Sequence, residues 1–159
     1  MSARRISKVE ELAEIAELAD VVYDDFSVHR GPFAGERPDF PPEPSLVVGV
    51  RLQPETYEFK LELKLGLQEP PLRCHVSAVA RFDFPEPLEI TSEVRDEFAS
   101  RVALMCVFPF VREGLASLAA RMRTPSLPVL ALVRPGDLRP WPDEQEGEGG
   151  DADGAGDAV

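Results

Sequence analysis

The sequence predicts an α+β domain: a four-stranded antiparallel sheet packed on one face by one long C-terminal helix, with a short N-terminal helix before it and a disordered acidic tail after it. Three observations carry this. Apolar residues alternate with polar ones through Leu46, Val48, Val50 and Leu52, through Tyr57, Phe59, Leu61, Leu63, Leu65 and Leu67, and through Leu72, Cys74, Val76, Ala78, Ala80, Phe82 and Phe84. That is the period of strands with one buried face. From Glu93 to Arg123 the apolar spacing changes to three and four, as in a helix that lays one stripe on a neighbour. The connections between the later strands are short, which makes them antiparallel neighbours with a single greasy face for the helix to cover.

Taken in order, Lys8 to Ala19 reads as a short acidic amphipathic helix, with Val9, Leu12, Ile15, Ala16 and Ala19 on one side. VVYDDFSVHR follows as the first strand, with Val22, Phe26 and Val28 of one parity and Asp25, Ser27 and His29 of the other. The connection GPFAGERPDFPPEPS contains too much proline for helix, and carries the aromatics Phe33 and Phe40. Three strands come next. The helical stripe of Val94, Phe98, Val102, Met105, Phe108, Arg112, Leu115, Ala119 and Met122 is interrupted by Pro109, which deletes a backbone hydrogen bond at a cost of roughly 3 kcal/mol. After Arg123 proline alternates with apolar residues, consistent with extended chain. From Asp143 onward seven acids and no base stand among glycines and alanines, a composition that cannot bury enough surface to fold. The chain therefore divides into residues 1–20, an N-terminal helix; 21–142, the sheet-and-helix domain; and 143–159, the tail.

With 159 residues and 43% hydrophobic content, there is material for one core. Seventeen basic against 29 acidic residues give a net charge of -12, which repels nucleic acid and anionic membrane surfaces. No apolar run reaches the length of a membrane span and acids occupy the N-terminal stretch where a signal peptide needs an apolar core, so the expected location is the cytoplasm, without membrane insertion. Cys74 and Cys106 have no metal spacing and read as buried thiols. The acids and bases Glu58, Lys60, Glu62 and Lys64 read as surface pairs. There is no phosphate loop, nucleophile elbow or zinc motif, so the reading is of a protein that is not an enzyme, with no catalytic residues, metal or cofactor.

The segment F-P-F-V-R-E, Phe108 to Glu113, resembles the F-P-(Y/F)-x-R-E signature in the long helix of the SecB-type export chaperones and their SecB-like relatives. T-P-S-L (Thr124 to Leu127), D-F-S-V (Asp25 to Val28), D-F-P-P-E (Asp39 to Glu43), Y-E-F-K-L (Tyr57 to Leu61) and C-H-V (Cys74 to Val76) are similar to family segments in the same order. The resemblance implies a homotetramer, a dimer of dimers in which the long helices pack across subunits, with Phe108, Pro109, Arg112 and Glu113 serving assembly. It also implies an ATP-independent holding chaperone whose apolar groove, matched here by Phe40, Leu46, Val48, Leu72 and Val76, binds unfolded polypeptide. The clients it implies are export precursors, or, for SecB-like relatives with an extra N-terminal helix, one dedicated partner such as an antitoxin. Asp25 matches an acid that docks the SecA motor, whereas His29 and His75 replace two other acids and Arg73 an apolar contact. The family's second helix is excluded by Pro135, Gly136, Pro140 and Pro142, leaving Trp141 as a candidate lid. A different class, a carrier of a small apolar ligand, remains the competing reading and would be a monomer.

If Pro109 shapes the helix for assembly, Pro109→Ala should keep the helical circular dichroism of the wild type while changing the assembly mass measured by light scattering.

Overall fold

The structure, a computed structural model, describes residues 3–33 and 40–124 and the backbone of 139–140. Its elements are β1 (Arg4–Ile6), α1 (Val9–Ile15), β2 (Glu17–Arg30), β3 (Ser45–Gln53), β4 (Thr56–Leu67), β5 (Leu72–Asp83), β6 (Leu88–Ile90), α2 (Ser92–Phe98), a π turn (Ala99–Ala103), α3 (Leu104–Met122) and β7 (Arg139–Pro140). Asp39, the 125–138 stretch including Pro135 and Gly136, Trp141, Pro142 and the acidic tail lie outside the described residues.

Four antiparallel strands in the order β2-β5-β4-β3 form the sheet, with β7 beside β3. The unbroken alternation of β4 fixes the register: Tyr57, Phe59, Leu61, Leu63 and Leu65 are fully buried on the inner face, and the lysines and glutamates between them point outward. Cross-strand rows follow from the pairing, one running Phe26, Val76, Leu63 and Leu46 across all four strands. Since β2 and β3 lie at opposite edges, the chain between them must cross the ends of β5 and β4. It is tied down on the way, where the Gly31 N–H donates to the Pro71 carbonyl (2.7 Å) and the Gly66 N–H to the Pro41 carbonyl (2.7 Å).

The N-terminal helix is shorter than the sequence expectation. It ends at Ile15, Ala16 is already extended, and β2 begins at Glu17. Strand β5 runs out to Asp83, so pairing with it is available as far back as Glu17; tertiary hydrogen bonding overrides the helical period there. The parity expected for β2 also changes. An extra residue between Tyr23 and Asp25 breaks the register, so Val21 and Tyr23 share the inner side with Phe26 and Val28, while Val22 turns outward at 50% exposure. Ile6, Val9 and Leu12 belong to the same core as the sheet and helix, and β1 pairs in parallel with β6.

One continuous helical run from Ser92 to Met122 covers the inner face. By length and composition this run could cross a bilayer, but its apolar stripe is spent on the sheet, as in the core helix of a two-layer fold. Thr91 caps it, its hydroxyl accepting from the Val94 N–H (3.4 Å). The π turn, in which the Leu104 N–H donates to the Ala99 carbonyl, inserts a step of five between Phe98 and Ala103. The buried stripe is consequently Val94, Phe98, Ala103, Val107, Val111, Leu115 and Leu118. Of the expected stripe only Val94, Phe98 and Leu115 are buried; Met105 is 67% exposed and Arg112 faces solvent. Pro109 lies on the exposed side, where the carbonyl it leaves unpaired can meet water.

Two contacts fix the helix on the sheet. At its start, Phe98 packs edge-on against Tyr57 and Phe82 (ring centroids 5.0 and 5.1 Å), and the Tyr57 hydroxyl donates to the Arg95 carbonyl (3.0 Å). Near its end, Gly114 faces Val76, Tyr23 and Phe26 so closely that a Cβ there would lie 2.9 Å from Val76 Cγ1. Gly114→Val should therefore destabilise by about 2 kcal/mol, in the range of overpacked cores, measured as a lowered midpoint of urea unfolding.

Candidate polypeptide-binding site

Helix α3 packs chiefly on β5, β4 and β2, so its cover is thinnest toward β3. The inner side of β3 carries Leu46, Val48, Val50 and Leu52; the first two are 9% exposed and the last two half-buried. Beyond Leu52 lies an open cleft of about 660 Å³, lined by Leu52, Pro54, Leu88 and Ile90 together with charged Arg5 and Glu89. Among the described residues the outer edge of β3 is paired only at Val47 and Val48, by β7. An edge with free peptide groups beside a row of apolar side chains can accept an extended chain.

The five groove residues expected from sequence do not form one surface. Leu46 and Val48 are neighbours on β3. Val76 lies in the same cross-strand row as Leu46 but is fully buried beneath Gly114, and Leu72, also fully buried, sits at the far end of β5 opposite Leu67. Phe40 is on the other face of the sheet. Its carbonyl lies directly over Gly66, whose outward side has no room for a Cβ. There Phe33 and Phe40 flank Arg73, whose guanidinium carbon is 4.0 and 5.8 Å from the two ring centroids. Strand parity decides the division, because Gly66 and Arg73 alternate with buried Leu65 and Cys74.

Asp25, expected to dock a motor, is engaged within the chain. Its carboxylate accepts from the Ser27 hydroxyl (2.9 Å) and lies 3.1 Å from His75 Nδ1. Beside it Asp24 contacts Lys60 and accepts from Ser77 (3.4 Å), and the lysine's charge and hydrogen bond hold the Asp24 carboxyl below its ordinary range. Glu62 departs most from expectation. It is 5% exposed, not a surface acid, with Lys64 at 2.9 Å, Lys60 at 4.0 Å and His75 Nε2 at 3.5 Å. That ring nitrogen is buried without a hydrogen bond. His29 lies two pairs further along β2, opposite Arg73. The Ser27 hydroxyl is on Asp25 and not on the imidazole, so the group lacks the relay that activates a nucleophile. Among the described residues no group of three or more His, Cys, Asp or Glu side chains could hold a metal ion.

Of the helix signature, Phe108 is half-buried, and Pro109 and Arg112 are exposed. Glu113 makes a contact that the sequence did not reveal: the Tyr23 hydroxyl lies 2.8 Å from its carboxylate and 2.8 Å from the Phe110 carbonyl, two acceptors for one proton. The only signal was an acid one helical turn from an aromatic pair, with no hint of a partner 90 residues away.

No family model matches the chain, and no curated protein matches it. Among solved structures, the chain has the fold of a SecB-like chaperone from Mycobacterium tuberculosis, solved in complex with a ChAD peptide from the HigA1 antitoxin: TM-score 0.60 at 18% identity, covering 79% of this chain and 92% of that one. The four-stranded sheet and long C-terminal helix are the SecB-like fold.

Burial against the helix, together with the hydrogen bond to Glu113, pushes the Tyr23 hydroxyl up to about 12 from 10.0. Because the folded state favours the protonated phenol, this contribution is complete below pH 10 and disappears as pH rises toward 12. Stability should fall across that window in wild type, and Tyr23→Phe should flatten the fall; alkaline unfolding followed by circular dichroism checks both.

Proposed function

We propose that this chain is a SecB-like holding chaperone of the cytoplasm that binds an extended, apolar segment of unfolded polypeptide without ATP. The observation that carries this reading is the edge of β3: an apolar row of Leu46, Val48, Val50 and Leu52 stands where helix cover is thinnest, on a fold shared with a chaperone solved holding a peptide. A homotetramer belongs to the same reading. Its support is the outward helix face, where exposed Met105 and Pro109 and half-buried Phe108 would lose apolar surface to a second copy.

Between the two client classes, the outer face favours a dedicated partner, such as an antitoxin, over precursors handed to SecA. The acids a basic docking surface would seek are already engaged: Asp24 by Lys60, Glu62 by Lys64, Asp25 by the Ser27 hydroxyl and the His75 ring. Separating these partners would cost part of what docking gains.

Purified full-length protein should suppress aggregation of a chemically unfolded client at near-equimolar ratio, unchanged by added ATP. The double substitution Val50→Asp with Leu52→Asp should weaken client binding by about tenfold or more, the loss of roughly one central contact, at unaltered circular dichroism and mass. Equal aggregation with and without the protein would remove the reading.

A further inference from the structure

Strand β3 ends the sheet, yet its edge is not bare. Arg139 runs opposite Val47 and Pro140 opposite Val48, in parallel. Three features make this pairing easy to undo. It spans two residues; it is parallel, the less stable arrangement; and Pro140 has no N–H, so of its two residues only Arg139 can donate. It also stops halfway. Among the described residues nothing pairs with the outer edge from Gly49 to Gln53.

We propose that β7 is a competitor carried in the same chain: it holds the β3 edge in the absence of client and is displaced when an extended client segment adds to the sheet there. The proposal rests on the chaperone reading above and specifies how that site is regulated. Its occupant is an extended polypeptide with apolar residues at alternate positions, because the inner side of β3 is apolar at Leu46, Val48, Val50 and Leu52, and a strand added at the edge alternates in step with it. β7 shows that the edge takes such a chain, and a strand running the length of β3 would overlap it at Val47 and Val48. A short placeholder suits this role, since a partner that pairs with more of the edge outcompetes one confined to two residues.

The test uses the full-length protein and Arg139→Pro, which removes the one N–H that β7's two residues carry. Two quantities are measured: hydrogen exchange at the Val48 amide, and affinity for fluorescently labelled, reduced and carboxymethylated α-lactalbumin. The expected result is a Val48 amide protected in wild type and exposed in R139P, with client binding about five- to tenfold tighter in R139P, as for an edge closed roughly 80–90% of the time. Unchanged affinity despite an exposed Val48 would overturn the competition, and so would a Val48 amide unprotected in wild type. A rise in assembly mass of R139P without tighter client binding would give the edge to a second copy instead. If neither protein binds the client while Val48 behaves as expected, the chaperone reading fails and this proposal with it.

Discussion

Helix α3 can close over the sheet only because Gly114 has no side chain where Val76, Tyr23 and Phe26 rise beneath it. That approach brings the backbone of the helix near β2, so the Tyr23 hydroxyl can reach both Glu113 and the Phe110 carbonyl. From there the placement of everything else follows. Seated over β2, β5 and β4, the helix leaves β3 as the least covered strand, with Val50 and Leu52 only half-buried at its end. A bulkier residue at this one position would lift the helix and blur the distinction between covered and uncovered strands.

Legibility differed from element to element for identifiable reasons. The register of β4 was plain because twelve residues alternate without exception, and one slipped position would turn every leucine to solvent. The π turn is not visible in sequence, since a step of five in the buried stripe looks like a step of four followed by noise; steps of three and four lead to Val102 and Met105, whereas the fully buried residues are Ala103 and Val107. In β2, Val22 and Phe26 have the same parity by counting, but the inserted residue at the bulge puts them on opposite faces. Candidate site residues fared according to whether they sat in regular elements. Leu46 and Val48 could be placed side by side from strand period alone. Phe40, inside a proline-rich crossover, could not be given a face until the chain was seen lying over Gly66.

The outer face is a study in local neutrality on a strongly acidic chain. Against a net charge of -12, nearly enclosed Glu62 is held between two lysines, and Asp24 borrows one of them. For an acid this enclosed, much of the attraction of the lysines is offset by the cost of taking its charge out of water. Their effect is to remove free charge from the centre of the face, so any long-range field of the molecule must come from elsewhere on its surface.

The order in which these strands pair has a consequence for synthesis. Arg4 pairs with Leu88, and every residue of β2 that joins the sheet does so against β5. A growing chain therefore carries its first two strands past the ribosome with no partner, including the apolar side of Val21, Tyr23, Phe26 and Val28, until most of the sheet has been made. Contacts so distant in sequence fold late. During that interval the nascent protein is itself an unfolded chain with a long apolar strand exposed.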